Sequence, residues 1–180
     1  MTSVEATDSL VKKALISLAA DRHVSTWRAK EHNWVNYFVF RHLLPRCKRS
    51  GVDPAQLAIE MPVPQPNGEG LRYTTKTVRR DIVIWPTAGC TCWDDDWHPT
   101  CHPLAILEWK VHRPKRRNRD DQIEWLKDYC HWKPSVIGYG VEVHLDRDPM
   151  AITCCRFLGD ESEEDWLERN LEPPALVSSH

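Results

Sequence analysis

Two stretches of the chain carry the alternation of a β-strand. Residues 71–85 (LRYTTKTVRRDIVIW) are rich in Thr, Val and Ile, and period two places Arg79, Asp81, Val83 and Trp85 on one face, Val78, Ile82 and Ile84 on the other. Residues 104–111 (LAILEWKV) predict a further strand, with Glu108 and Lys110 projecting to the same side. Ahead of these, QLAIEMPVP (56–64) is a short strand ended by prolines, with Glu60 in its middle, and PQPNGEG is a hairpin tip. Behind them, VIGYGVEVHL (136–145) and AITCCRFL (151–158) predict two more strands.

Helical spacing marks the intervening segments. Residues 8–20 (DSLVKKALISLAA) read as an amphipathic helix capped by Asp8 or Ser9. A second helix is expected from just after Ser25 or Thr26 to about Arg46; its segment WVNYFVFRHLL is apolar nearly all round, as in a buried helix. In DDQIEWLKDYCHW, Ile123, Leu126 and Tyr129 or Cys130 fall on one face. The charged run DESEEDWLERN, with Asp160 and Glu163 at capping-box spacing, predicts a final acidic helix at about 159–171. The elements thus run two helices, three strands, helix, two strands, helix. They describe one α/β domain over residues 1–180, with an insertion at about 86–103.

Composition narrows the class. Hydrophobic residues make up 41% and charged residues 28%, ordinary for a soluble globular protein. There is neither an apolar run long enough for a bilayer nor a signal-peptide pattern at the start, so a cytoplasmic protein is expected. The net charge of −2 is unevenly spread: residues 159–180 hold seven acids and one base, leaving residues 1–158 at +4. Arg113, Lys115, Arg116, Arg117 and Arg119 follow Lys110 closely, and Arg41, Arg46, Lys48 and Arg49 form a second group. Such clusters can neutralise phosphates, or can be solvated loops.

Asp81, Glu108 and Lys110 are the charged residues that the apolar strands must accommodate. Burying them without partners would cost several kcal/mol or more per ion. A divalent cation held by the two carboxylates is one solution, and oxygen ligands suit Mg²⁺; a structural ion network with Lys110 bridging two carboxylates is the other.

Asp81…Glu108-Trp109-Lys110 resembles the D…(D/E)xK signature of the PD-(D/E)XK nuclease superfamily, and the element order resembles that family's αβββαβ core across roughly residues 26–158. Arg80 stands where many members have proline. The resemblance implies a restriction-endonuclease-like fold, a mixed central sheet flanked by helices with extra terminal helices. It also implies a Mg²⁺- or Mn²⁺-dependent nuclease acting on DNA, with RNA as a further substrate class and a homodimer as one assembly. On that footing Asp81, Glu108 and the Trp109 backbone carbonyl are metal ligands, and Lys110 positions the attacking water. Glu31 of the early helix is a candidate metal-site carboxylate, or simply an acid at a helix N-terminus. Gln122, with Lys127, is a candidate phosphate contact. The competing reading is a catalytically silent nucleic-acid-binding or assembly module of the same fold.

The insertion GCTCWDDDWHPTCHP brings together Cys90, Cys92, His98, Cys101 and His102. Soft and borderline ligands at this density suggest a structural Zn²⁺ site, with three cysteines and one histidine, or a coincidental concentration in a loop. Zinc would also make the loop a protein-interaction module. Seven cysteines, an odd number, favour reduced thiols or metal ligands over a disulfide framework. Of the nine tryptophans some can stack on bases, while most belong to core or interface. His112 and His131 lie near the motif in sequence and are assigned no catalytic role.

Overall fold

A computed structural model of the chain describes residues 3–66, 77–90, 101–113 and 121–172. A first helix, α1 (Val4–Ala19), is capped by Ser3, whose Oγ accepts the Ala6 N–H at 3.1 Å. The expected cap at Asp8 or Ser9 is therefore corrected. Asp8 lies inside the helix and reaches the sheet instead, taking both arms of the Arg156 guanidinium (2.9 Å each) and the Tyr139 hydroxyl. A bidentate, charge-assisted pair outweighs a local cap that Ser3 already supplies.

The second expected helix begins later and is broken. α2 covers Glu31–Tyr37, a π-helical segment runs Phe38–Leu43, and α3 covers Leu44–Cys47. The Leu44 N–H reaches back to the Val39 carbonyl, a five-residue step. Pro45 has no N–H for the four-residue step to Arg41, and its ring would crowd that carbonyl; the wider turn accommodates both.

Six strands form one sheet in chain order: β1 (Leu57–Pro64), β2 (Thr77–Ile84), β3 (Ala105–His112), β4 (Ile137–His144), β5 (Ala151–Leu158) and β6 (Glu161–Asn170). Only β3 and β4 are parallel, and between them the chain crosses over through α4 (Asp121–Trp132). The architecture is thus mixed α/β with a mostly antiparallel sheet. No helix among the described residues is long and apolar enough to cross a membrane.

The sheet separates two apolar layers. On one side Leu107, Trp109, Val141 and Val143 pack with Leu15, Leu18, Trp34 and Phe38 from the N-terminal helices. On the other, Val83, Trp85, Ile106 and Phe157 pack with Trp125, Leu126, Tyr129 and Cys130 of α4. α4 sits close because β4 offers no side chain beneath it at two positions. A Cβ at Gly138 would lie 2.8 Å from both Cys130 Sγ and Leu126 Cγ; one at Gly140 would lie 2.5 Å from Ile123 Cδ1 and 2.6 Å from Cys155 Sγ.

The C-terminal segment departs from expectation. Instead of an acidic helix, residues 161–170 form edge strand β6, joined to β5 by the two-residue turn Gly159–Asp160, with Leu158 opposite Glu161. Gly159 adopts φ +58°, which suits a two-residue hairpin turn. The gain is burial of Leu167 and packing of Trp166 against Tyr139, which a solvated helix would forgo. The exposed acids along this strand discourage pairing with another edge.

Gly138→Val and Gly140→Val should each destabilise the protein by about 1–3 kcal/mol through overpacking under α4. Urea unfolding measures this; unchanged midpoints would mean that α4 does not depend on the close approach.

Candidate active site

β2 and β3 pair over only three residues, Ile82–Leu107, Val83–Ile106 and Ile84–Ala105, and then separate. Extending that register by one step sets Asp81 opposite Glu108. At this level the alternation of β2 and β1 turns over. Ile82 and Ile84 join the layer of the N-terminal helices, yet Val78 packs with the α4 layer on the same parity. Likewise Ile59 belongs to the first layer and Met61 to the second. The reversal falls at Asp81 and at Glu60, whose φ of +52° is the one positive value at a described non-glycine residue. The expectation that Arg79, Asp81, Val83 and Trp85 share one face is corrected accordingly, since strict period two does not survive the kink.

Where the ladder stops, the Asp81 carboxylate replaces the missing backbone acceptor, taking the Trp109 N–H at 2.8 Å. That bond holds the aspartate against β3. The Glu108 carboxyl, 1% exposed, lies near enough to feel the Asp81 charge and accepts from Arg80 Nη1 at 3.0 Å. Arg80 lies over the Trp125 ring, 3.4 Å from its centroid, so α4 positions the guanidinium that positions Glu108. Lys110, 5% exposed, is two residues further along the same strand.

Glu31 opens α2 and comes to this edge from the other side. Its carboxyl accepts the Val111 N–H and feels both Asp81 and Lys110. The structure therefore brings Glu31, Asp81, Glu108 and Lys110 into one electrostatic neighbourhood. Its carboxyls are not gathered as a three-ligand cage: among the described residues, only His112, Glu142 and His144 place three ligand atoms within 4.8 Å of one another.

All three acids are held above their ordinary values. Burial is the first cause at each; for Glu31 the Asp81 charge adds to it. Burial, with repulsion from Asp81 and Glu31, overrides the Arg80 ion pair and pushes Glu108 up to about 8. Neighbouring carboxyls in a dry site share protons unless a stronger cation takes their place.

The remaining expected site residues fall apart from this group. The Trp109 ring packs in the opposite layer, 5.1 Å from Phe38, and its N–H is the atom that engages the site. Gln122 and Lys127 are exposed on α4. Arg113 donates to the Ala29 carbonyl at 3.0 Å, tying β3 to the segment before α2. Lys115, Arg116, Arg117 and Arg119 lie outside the described residues, as do Cys92 and His98. Cys90 and Cys101 are joined as a disulfide, which takes two of the three sulfurs assigned to zinc and corrects the expectation of reduced thiols there. His102 turns to α4, with Nδ1 3.1 Å from the Tyr129 hydroxyl and its ring edge-on to Trp132.

Sequence reasoning missed Arg80, noted only as a departure from proline. Its signal was an arginine inside an apolar strand, which needs a buried partner. It also passed over Glu142 and His144, although their spacing in VEVHL puts both on one strand face. In comparisons with known proteins, no family model, curated protein or solved structure matches the chain.

The Glu108 shift has a measurable consequence. Between the ordinary value of 4.5 and about 8, the folded state binds a proton there that the unfolded chain has released. Its contribution to stability is complete below the unfolded value and is lost as pH rises through the folded one. In chelating buffer, Glu108→Gln should therefore lose less stability than wild type between about pH 5 and pH 8. Urea midpoints across that range check it; parallel curves would place the proton elsewhere.

Proposed function

We propose that this chain is a divalent-metal-dependent nuclease of the PD-(D/E)XK, restriction-endonuclease-like class, hydrolysing phosphodiester bonds in DNA. The observation that carries the reading is the meeting of the Asp81 and Glu108 carboxyls beside Lys110 where β2 leaves β3. The antiparallel β1–β2–β3 meander and the parallel β3–β4 crossover through α4 support the αβββαβ core that the motif implies.

The donor set fits a hard cation. Asp81 and Glu108 present neighbouring carboxyls that feel one another's charge, both held toward the protonated state by burial and so in want of positive charge. Mg²⁺ or Mn²⁺ would be held there with the Trp109 carbonyl, and would supply an acidified water and charge neutralisation on the phosphate.

The chain's own residues supply the rest. Arg80 and the Trp109 N–H fix the two carboxyls from opposite sides, so neither must reorganise during the reaction. Lys110 orients the attacking water and stabilises charge developing on the phosphate. Glu31 balances the Lys110 charge and limits where its ammonium can point. Gln122 on α4 is assigned to a flanking phosphate, and the basic run from Arg113 to Arg119 to the strand beyond it.

With Mg²⁺ or Mn²⁺ and linear, circular, single-stranded and branched DNA, the wild-type chain should cleave at least one substrate. Asp81→Asn and Lys110→Ala should each lower the rate about 100-fold or more under conditions where urea unfolding shows the variant to be folded. Salt-sensitive binding without cleavage under either ion would overturn the nuclease in favour of a binding module.

A further inference from the structure

Beyond the Asp81–Glu108 site, the same strand carries a second group of ligating side chains. We propose that His112, Glu142 and His144 form a separate binding site for a borderline transition cation of the Zn²⁺ class.

The placement follows from parallel register. His112 of β3 is paired with His144 of β4, and Lys110 with Glu142. Residues at even positions of both strands face the α4 side, so two imidazoles and one carboxylate emerge next to one another. The rings are stacked, with centroids 4.7 Å apart and planes at 9°. Glu142 Oε2 lies 3.0 Å from His112 Nε2 and 3.6 Å from His144 Nε2. With metal–ligand bonds near 2.0–2.2 Å, ligands at two corners of a tetrahedron are about 3.3 Å apart. The two carboxylate–imidazole separations bracket that edge and all three ligand atoms lie within 4.8 Å of one another, so sharing an ion requires one stacked ring to turn until both imidazole nitrogens face it.

The environment suits a site that an ion can enter. The His112 and Glu142 side chains are 22% and 28% exposed, whereas His144 is nearly buried, with Nε2 2.9 Å from Thr153 Oγ1. Glu142 and Thr153 also line a cleft of about 460 Å³ between α4 and strands β4–β6, shared with Lys127 and Cys155. Three protein ligands leave a coordination position toward that cleft, the arrangement of zinc sites that accept a water or an anion.

This is not the second ion of a two-metal phosphodiesterase. Along β3 about 13 Å separates Glu108 from His112 and about 7 Å separates it from Lys110, the residue paired with Glu142, against the roughly 4 Å between the ions of such pairs. Imidazole ligands also select Zn²⁺, Co²⁺ or Ni²⁺ over Mg²⁺. The site therefore stands independently of the nuclease reading.

The test uses the intact chain, stripped with chelator and titrated with Co²⁺. Wild type should take up a single equivalent with a visible d–d spectrum and no thiolate charge-transfer band. Zn²⁺ should displace it; Mg²⁺ should not. His112→Asn and Glu142→Gln should each weaken binding by about 100-fold or more, since even outer-shell losses reach that range. Glu142 is partly exposed and Glu142→Gln is isosteric, so this variant carries the result if His112→Asn misfolds. Asp81→Asn should bind Co²⁺ as wild type does, which separates this site from the cleavage centre. Absence of Co²⁺ uptake, a thiolate band from the cysteine loop, or wild-type affinity in a folded Glu142→Gln variant would each overturn the proposal.

Discussion

Strand β3 is buried along nearly its whole length and still carries a carboxylate and an ammonium in its middle. The rest of the structure depends on resolving that conflict. An uncompensated ion at this depth would cost several kcal/mol, so every neighbour of Glu108 and Lys110 has to supply either a hydrogen bond or a counter-charge. Arg80 does so from β2 and Glu31 from α2, while Trp125 of α4 holds the Arg80 guanidinium in place, and α2 and α4 are each packed into one of the two apolar layers. The charged centre and the two cores therefore stand or fall together.

The sheet accommodates the centre by parting. Continuing the β2–β3 ladder past Ile82 would pair Asp81 with Glu108 through the backbone and leave no room between the strands for their carboxyls. Turning β1 and β2 over at Glu60 and Asp81 opens the sheet and lets a side chain serve as a backbone acceptor for Trp109. The positive φ at Glu60 is the local cost of that opening. Backbone strain of this kind persists where surrounding structure enforces it, and it is concentrated at functional sites.

Parallel pairing of β3 with β4 has a further effect, because it aligns equivalent positions of two strands along one face. Glu108 is set against Gly140, Lys110 against Glu142 and His112 against His144. The missing side chains at Gly138 and Gly140 let α4 descend at one end of the ladder, while at the other end Glu142 lines the cleft and His144 is nearly buried. One face thus carries the buried Glu108 carboxyl and, further along, the partly exposed His112 and Glu142 beside the nearly buried His144.

Much of this was readable from residue order. Strand patterning located β3, β4 and β5 almost to the residue, and period-two alternation put Glu108 and Lys110 on one face because β3, unlike β1 and β2, keeps a regular strand through them. Helical spacing likewise found α4. The failures have specific causes. Residues 161–170 are acidic enough to suit a helix, and only pairing with β5, begun by the Gly159–Asp160 turn, made them a strand. Asp8 looked like a cap because its partner Arg156 is distant in sequence. The kink at Asp81, the Arg80 contact and the His112–Glu142–His144 group depend on which strands become neighbours and in what register. Local sequence sets the direction in which a side chain points from its own strand; what it meets there is decided by long-range packing.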